Sequence, residues 1–407
     1  SAGMRAYRAA SQVTDSVVLI EGGPYGTTCA RVGCMPSKLL ISAAEAAHAG
    51  QQASRFGVHY DSPKVDGRAV MQRVRSERDR FVGFVVEDVE AWREEHRIKG
   101  FARFLDDHTL EIDDNTRIHA ERIVIATGSR TQIPPLLEGL GDRLIINDDV
   151  FDWDDLPESV AVFGTGVIGL ELGQALHRLG VRVAVFGRSD RIASLTDPEV
   201  TQAAWQAFSD ELPIYAKATI NSVQPQSAGV RVDYTTATGE SRSEEFAYVL
   251  AATGRSPNLD KLSLQNTSLP LNERGLPAFD VQTGRVGESH IFIAGDVTDE
   301  LPLLHEAADE GQIAGYNAAH YPQIRRFLKS SPIAVVFSDP QIMMVGESYA
   351  ELSARGADFA VGELNWRGQG RSRVMGVNKG LIRVYGDRHS GEFLKPPPRC
   401  IDCGPGA

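Results

Sequence analysis

Residues 159–191 contain the pattern that most restricts the possible fold. They read SVAVFGTGVIGLELGQALHRLGVRVAVFGRSDR, in which apolar runs at 160–163 and 181–186 flank a glycine turn and a segment with helical spacing. This order predicts strand, turn, helix and strand. In that context a G-x-G-x-x-G turn indicates a dinucleotide-binding unit, because its glycines allow a tight turn and close approach of the backbone to a pyrophosphate. The three glycines are Gly164, Gly166 and Gly169.

The first residues of the chain match the later part of a second such unit. A helix of small residues follows Gly3 and an apolar run ends at Glu21, and the interval between them equals that from Gly169 to Gly187. We therefore expect the first strand and the first two glycines of this unit upstream of residue 1. A carboxylate at the end of the second strand accepts hydrogen bonds from ribose hydroxyls, so Glu21 predicts a site for an unphosphorylated ribose.

The corresponding position of the complete unit is Gly187, which has no carboxylate. Arg188 follows directly and Arg191 comes three residues later. A 2′-phosphate would meet cations there, which favours NADP(H) as the ligand. NAD(H) stays open, since arginines after a strand are common on protein surfaces.

Three further apolar runs end in small turns. Two end in Ala-Thr-Gly and the third ends in Gly-Asp, so the backbone could pass close to a bound nucleotide at each. A carboxylate in the third turn could accept hydrogen bonds from a polyol. The residues concerned are Thr127, Gly128, Gly254, Gly295 and Asp296.

Two longer segments are predicted to be scaffold. Residues 67–97 carry apolar residues at helical spacing, which predicts a long amphipathic helix closed by Gly100. Residues 212–250 alternate apolar and polar side chains, which predicts a small β-meander completing the second nucleotide unit.

Composition excludes several classes of function. The formal charge is −12 and the basic residues form no long block, which argues against a nucleic-acid partner. The sequence contains no run of eighteen apolar residues and so gives no indication of a membrane span. Four cysteines in 407 residues are too few for a disulfide scaffold, so pairing among them favours redox chemistry in a reducing compartment, the cytoplasm.

Two of those cysteines lie close together in GTTCARVGCMPSKLL. In a regular helix Cys29 and Cys34 would be rotated about 140° apart and could not pair. They can pair if the residues between them form a loop with freedom at Gly33 and a helix starts at Pro36. Cys34 would then lie at a helix N-terminus, which favours its thiolate. The alternatives are buried inert cysteines or a metal site, and no nearby cysteine or histidine cluster completes a tetrahedral set.

This segment resembles the hallmark G-G-T-C-x-x-x-G-C-x-P of the class I pyridine nucleotide-disulfide oxidoreductases, which include dihydrolipoamide dehydrogenase, glutathione reductase and mercuric reductase. Thr27 replaces the usual second glycine, and the resemblance continues to about Leu394. CMPSK is similar to the dihydrolipoamide dehydrogenases, whereas glutathione reductases usually read Pro-Lys-Lys. Mercuric reductase is a lesser alternative, because Cys400 and Cys403 are not vicinal and occur too early.

The resemblance implies a role for each matching residue. Cys29 would exchange with the substrate disulfide, Cys34 would contact the flavin, and Lys38 would lie near flavin N5, paired with Glu171. Val167 stands where some relatives have a tyrosine gate. The implied FAD site comprises Gly3, Glu21, Thr28, Lys38, Thr127, Gly128 and Asp296, with backbone near Ala102 and Leu304.

The implied fold is α/β, with two Rossmann-like, doubly wound, three-layer nucleotide-binding domains and a truncated α+β dimerisation domain. Residues 1–152 and 273–330 would bind FAD, residues 153–272 would bind NAD(P), and residues 331–407 would form the interface. The family is homodimeric, but the proline- and glycine-rich end of this sequence departs from its pattern and is expected to impair the dimer.

The family's catalytic histidine also has no counterpart among the ten histidines of this sequence. Its absence is expected to slow thiol exchange by about 10²–10⁴-fold. We expect an FAD-dependent enzyme that exchanges electrons between NAD(P)H and a small-molecule disulfide or dithiol. The alternative from another class is a noncatalytic or weakly active nucleotide-binding remnant.

Overall fold

The computed structural model describes residues 1–61 and 64–393. Cys400, Cys403 and the proline-rich end lie outside these residues, so the expectations for them stay predictions. In the residues described, no helix is long and apolar enough to cross a membrane.

The described chain alternates helices and strands. Its ten α-helices are α1 (Ala2–Ser11), α2 (Thr28–Val32), α3 (Cys34–Gln52), α4 (Gly67–Glu90), α5 (Asn147–Val150), α6 (Val167–Arg178), α7 (Pro198–Ser209), α8 (Leu304–His320), α9 (Tyr349–Ala354) and α10 (Gly370–Val374). Its β-strands are β1 (Leu19–Glu21), β2 (Arg97–Lys99), β3 (Ala102–Phe104), β4 (Thr109–Ile112), β5 (Thr116–His119), β6 (Ile123–Ile125), β7 (Ser129–Thr131), β8 (Leu144–Ile145), β9 (Ser159–Phe163), β10 (Arg182–Phe186), β11 (Ile214–Tyr215), β12 (Thr219–Pro225), β13 (Val230–Thr235), β14 (Ser241–Phe246), β15 (Tyr248–Ala251), β16 (Arg255–Pro257), β17 (Ile291–Ile293), β18 (Ile333–Val336), β19 (Ile342–Val345), β20 (Phe359–Asn365) and β21 (Leu381–Asp387).

The glycine fingerprint lies in a five-stranded parallel sheet with strand order β11-β10-β9-β15-β8. Every residue of β9 is buried, as expected for a parallel strand covered on both faces. Helices α3, α4 and α6 pack on one face through Leu40, Met71 and Leu172. This arrangement confirms the strand, turn, helix and strand predicted for residues 159–191.

The other face of that sheet is covered by strands, which corrects the prediction of a doubly wound sheet with helices on both faces. The predicted meander forms as the antiparallel sheet β12-β13-β14. Its Tyr234 and Phe246 pack against Phe163 and Phe186 of the parallel sheet. Because these large rings already bury that face, the three layers are helices, parallel sheet and antiparallel sheet.

The N-terminal unit forms two short parallel ladders, β1 with β2 and β6 with β17. Helix α1 packs closely on α8, where a Cβ at Gly311 or Gly315 would lie 2.3 Å from a carbonyl oxygen of α1. Within residues 1–61 and 64–393, no strand pairs with the second edge of β1 or of β6. Helix α1 and strand β1 confirm the elements predicted after Gly3.

The predicted long helix ends earlier than the sequence suggested. Helix α4 stops at Glu90, and Trp92 stacks on Tyr7 of α1 with 4.0 Å between ring centroids. Residues 97–99 then run parallel to β1 instead of continuing the helix. The tertiary contacts of these residues therefore override their helical spacing.

The last described segment is α+β, with the hairpins β18-β19 and β20-β21 and helices α9 and α10. Buried Asp197 anchors it to the second nucleotide unit. This carboxylate caps α7 and also accepts hydrogen bonds from Tyr385 at 2.6 Å and from Arg383 at 3.1 Å.

Candidate redox site

The two cysteines lie at consecutive helix starts. Cys29 is the second residue of α2, and Cys34 is the first residue of α3. The prediction of a loop between the cysteines is therefore wrong. Most of the residues between them belong to α2, and the chain leaves the helical conformation only at Gly33. A Cβ there would lie 3.1 Å from the Thr28 carbonyl oxygen, so glycine permits the close approach of α2 and α3. Cys34 does lie at a helix N-terminus, as predicted, although α3 begins two residues before Pro36.

Thr27 shows why glycine is usual at its position. Its φ of 62° and ψ of 152° fall in a region that is essentially restricted to glycine. Its side chain offsets part of the strain by accepting a hydrogen bond from the Ala30 N–H at 3.3 Å, which caps α2.

The two thiols have opposite electrostatic character. The pKa of Cys34 is lowered to about 7, chiefly by the hydrogen bond from the Cys29 thiol and also by the charge of Lys38, against the effect of burial. The same hydrogen bond, together with burial, raises the pKa of Cys29. Cys34 is therefore the thiolate of the pair and Cys29 is the thiol that donates to it.

Lys38 and Glu171 form the ion pair implied by the resemblance. Lys38 Nζ lies 2.7 Å from Glu171 Oε2 and 3.2 Å from Ser37 Oγ. The Lys38 side chain is 33% exposed and that of Glu171 is 6% exposed. Helix α3 brings the lysine one turn after Cys34, and α6 brings the glutamate from the fingerprint helix.

The fingerprint glycines differ in what surrounds them. A Cβ at Gly164 would lie 2.1 Å from the Ala252 carbonyl oxygen, and a Cβ at Gly169 would lie 2.1 Å from the Gly164 carbonyl oxygen. These two glycines allow the strand-to-helix packing. Gly166, which caps α6, has no atom within 4 Å of its Cβ position. This open space before a helix N-terminus fits the pyrophosphate of a dinucleotide.

Arg188 and Arg191 are exposed on the loop after β10, where the Arg191 carbonyl oxygen accepts a hydrogen bond at 2.6 Å from the hydroxyl of Thr165 in the fingerprint turn. Asp190 lies between them, but its carboxylate pairs with Lys217 Nζ at 2.8 Å. Gly187 is buried against Thr165, where a Cβ would approach a methyl carbon to 2.9 Å. The loop therefore presents two arginines next to an acid that is already neutralised.

Several of the residues predicted to bind FAD converge on the N-terminal end of α1. The carboxylates of Glu21 and Asp296 both lie close enough to the start of α1 to act on it electrostatically. Glu21 ends β1 and accepts a hydrogen bond from the Gly23 N–H at 2.8 Å. Gly3 lies in α1 between β1 and β6, since its Cβ position is 3.5 Å from Leu19 and 3.6 Å from Ala126.

The two Ala-Thr-Gly turns are held by different hydrogen bonds. Thr127 donates a hydrogen bond to the Asn258 carbonyl oxygen at 2.7 Å, and Asn258 N–H donates to the Gly128 carbonyl oxygen at 2.9 Å. Gly128, with φ of 69°, has open space at its Cβ position. Gly254, with φ of 115°, accepts a hydrogen bond from the Gln132 N–H. Both turns thus leave backbone accessible, as a passing nucleotide requires.

The other residues that the resemblance assigned to the cofactor sites lie in separate helices and strands. Thr28 is exposed at the start of α2, Ala102 lies in β3 paired with Ile112, and Leu304 is exposed at the start of α8. Val167 is exposed at the first position of α6, next to the open space at Gly166. In the described part of the chain, no cluster of three or more potential ligands is arranged to hold a metal ion.

The sequence did not reveal two supports of the site. Glu310 accepts a hydrogen bond from the Gly295 N–H at 2.8 Å, which fixes the turn that carries Asp296, and it pairs with buried Lys329. Asn147 donates to the Val32 carbonyl oxygen at 2.8 Å and so holds the end of α2. Of these two residues, only Glu310 could have been noticed in the sequence, because it lies at helical spacing with the apolar residues of α8 and so falls on the buried face of that helix.

These features match a known family. The profile of the pyridine nucleotide-disulphide oxidoreductases matches residues 1–311. The chain belongs to this family, which confirms the resemblance found in the sequence, and family membership implies FAD and a pyridine nucleotide as cofactors.

Several characterised proteins are similar to this chain in sequence or in fold. The chain is 32% identical to a dihydrolipoyl dehydrogenase of Haloferax volcanii over 400 residues, covering 96% of this chain and 82% of the relative. It is 30% identical to a mercuric reductase of Streptomyces lividans, covering 92% and 80%. The fold resembles LpdA of Mycobacterium tuberculosis, with a TM-score of 0.79 at 24% identity covering 97% and 86%. It also resembles the HOCl-induced flavoprotein disulfide reductase RclA of Escherichia coli, with a TM-score of 0.77 at 23% identity covering 98% and 87%.

Proposed function

We propose that this chain exchanges electrons between a pyridine nucleotide and a small dithiol or disulfide through the Cys29–Cys34 pair, in the manner of dihydrolipoyl dehydrogenase. One observation carries the proposal: Cys29 and Cys34 lie at consecutive helix starts with Lys38 one turn after Cys34, and there the pKa of Cys34 is lowered while that of Cys29 is raised. Such asymmetry distinguishes an exchanging thiol from a stabilised thiolate.

The exchange balances as follows for a dithiol substrate. A substrate thiolate attacks Sγ of Cys29 in the Cys29–Cys34 disulfide, which forms a mixed disulfide and releases Cys34 as a thiolate. The second substrate thiolate attacks the first substrate sulfur, which closes the product disulfide and releases Cys29. Cys29 then takes up one proton, because its raised pKa favours the thiol, and the second substrate proton goes to solvent. Two electrons now reside in the cysteine pair.

Bound FAD supplies the two-electron transfer between this pair and the nicotinamide. The residues that would hold it are Glu21 for the ribose, Asp296 for a polyol hydroxyl, and the turns at Thr127 and Gly128. Lys38 stabilises negative charge beside Cys34, and Glu171 holds the lysine in place. Gly166 leaves room for the second dinucleotide at the start of α6.

We further propose NADP(H) as the preferred pyridine nucleotide. Two exposed arginines, Arg188 and Arg191, follow β10, and the only acid between them is paired with Lys217. A 2′-phosphate would therefore gain cationic partners without facing a free carboxylate. Family membership is compatible with either nicotinamide, so this preference rests on the two arginines.

The domain division also remains a proposal. Residues 1–152 with 273–330 would bind FAD, residues 153–272 would bind NADP(H), and residues from 331 onward would contribute to a homodimer interface, as in family members. The exposed apolar side chains of β18–β21, including Ile333, Met343, Val345 and Val384, support this last assignment.

Anaerobic titration with NADPH tests the proposal. We expect purified protein supplied with FAD to be yellow, to develop long-wavelength absorbance on reduction, and to gain two alkylatable thiols, at Cys29 and Cys34. Cys34→Ser should abolish both responses while retaining flavin. A colourless protein, or unchanged thiols after NADPH, would instead identify a noncatalytic remnant.

A further inference from the structure

The loop between β18 and β19 lies on the helix that carries Glu171. Gln174 donates to the Asp339 carbonyl oxygen at 2.8 Å and accepts from the Asp339 N–H at 2.8 Å. Arg178, one turn further along α6, pairs with the Asp339 carboxylate at 2.8 Å. Side chains on one face of α6 thus fix the backbone of this loop.

The first residue of the loop reaches the redox site through its backbone. Glu171 Oε2 holds Lys38, while Glu171 Oε1 accepts the Phe337 N–H at 3.0 Å. Both oxygens of this nearly buried carboxylate are therefore occupied, which fixes its orientation. Lys38 therefore pairs with a carboxylate whose orientation is fixed by the Phe337 N–H.

The Phe337 side chain contacts the same lysine from another direction. Its ring centroid lies 4.4 Å from Lys38 Nζ, within the range of a cation–π contact. The ring is 41% exposed, so the apolar core does not require it. The face of this exposed phenylalanine ring lies over an ammonium group, an arrangement that electrostatics favours.

We propose that Phe337 is a positioning residue that keeps the Lys38 ammonium group beside Cys34. The inference deepens the proposed function and rests on it, since it assumes that Cys34 is the thiolate of the pair. Lysine has a flexible four-carbon stem, and without the ring its ammonium group would populate other rotamers. A cation–π contact of this kind changes such a population by roughly two- to fivefold.

The rate of Cys34 alkylation tests this role directly. Protein carrying its cofactor is reduced, treated with iodoacetamide between pH 5.5 and 9, and analysed by peptide mass spectrometry. In Phe337→Leu we expect Cys34 to react about two- to threefold more slowly below neutral pH, because less thiolate is present, and to match the parent above pH 9. Phe337→Tyr, which keeps an aromatic face, should restore the parent profile.

A matched control and a double variant separate positioning from folding. Phe84→Leu removes a ring that lies 5.8 Å from Arg80 on α4 and should leave the profile unchanged. In a Lys38→Met background, Phe337→Leu should have no further effect, because the ring then has no ammonium group to hold. An equal slowing in that background would overturn the proposal and assign Phe337 a structural role.

The failure of this inference is distinguishable from failure of the proposed function. If Cys34 in the parent titrates like an ordinary exposed thiol, the proposed function fails and Phe337 has no thiolate to serve. If the parent shows the low-pH thiolate and Phe337→Leu has the same profile, only the role of Phe337 is overturned.

Discussion

The Lys38 ammonium group lies 2.7 Å from a carboxylate oxygen of Glu171, which is 133 positions later in the sequence. The pair joins α3, which begins at Cys34, to α6, which begins at the nucleotide turn. The ion pair thereby connects the helix that starts at Cys34 to the helix that follows the fingerprint turn. The distance between thiol pair and nucleotide turn depends on how α3 packs against α6 in the shared core of Leu40, Ala44 and Leu172.

Removing the Lys38 ammonium group should lower the free energy of unfolding, because the nearly buried Glu171 carboxylate loses its ionic partner. In Lys38→Met, Glu171 keeps only its hydrogen bond from Phe337, so we expect the free energy of unfolding to fall by about 2 kcal/mol. Lys217→Met is the matched control, because its pair with Asp190 is exposed and should contribute less than about 1 kcal/mol. Urea unfolding measures both, and equal losses in the two variants would contradict the role of burial.

Much of the fold was predictable because its signals are local. The glycine order at Gly164, Gly166 and Gly169 requires a strand before it and a helix after it, and the structure has both. The meander after residue 212 followed from alternation alone. The layer it forms did not, because the face that Tyr234 and Phe246 cover depends on contacts distant in sequence.

The site was predictable where the residue type itself carries the chemistry. Cys29 and Cys34 could be proposed as a redox pair from one short segment, whereas Lys38 followed only from the family resemblance. The helical conformation between the cysteines could not, because a cysteine spacing that excludes a single helix is equally compatible with two helices joined at Gly33. The supports from Phe337 and Asn147 act through hydrogen bonds with groups distant in sequence, which leave no pattern in the sequence.

The lowered pKa of Cys34 predicts a pH profile. Because the pKa is about 7, the thiolate dominates above neutral pH, and alkylation should slow as the pH falls through that value. Cys29→Ala removes the thiol donor, the largest cause of the shift, so the midpoint should move to higher pH. The ultraviolet absorbance of the thiolate provides a second measurement. A profile unaffected by Cys29→Ala would mean that another group stabilises the thiolate.

Strain at Thr27 predicts a stabilising substitution. Thr27→Gly relieves a backbone conformation that costs about 1–3 kcal/mol, while the lost cap costs only a few tenths with glycine. The gain is reduced by the greater freedom of glycine in the unfolded chain, so we expect about 1 kcal/mol of stabilisation by urea unfolding. Thr28→Gly, in the adjacent helical position, should destabilise instead.

Substitutions of two fingerprint glycines should have different effects, one on the stability of the fold and the other on nucleotide binding. Gly169→Ala gains about 1 kcal/mol of helix propensity, but its Cβ would lie 2.1 Å from a carbonyl oxygen, and the resulting strain should outweigh that gain. Gly166→Ala meets no atom within 4 Å, so its thermal unfolding should match the parent while its affinity for NADPH falls. Isothermal titration calorimetry measures that affinity. Unchanged binding in Gly166→Ala would place the pyrophosphate elsewhere.

Charge reversal tests the proposed phosphate site. Arg188→Glu replaces an exposed cation beside the fingerprint with a carboxylate, so we expect kcat/KM for NADPH to fall at least about tenfold while the value for NADH changes less than about threefold. Arg371→Glu makes the same change of charge at an exposed position in α10 and should leave both values unchanged. Steady-state kinetics at two salt concentrations separates a local contact from a long-range field, because only the latter is strongly screened. If the parent uses NADH and NADPH equally, or if both cofactors lose equally in Arg188→Glu, the arginines do not recognise a 2′-phosphate.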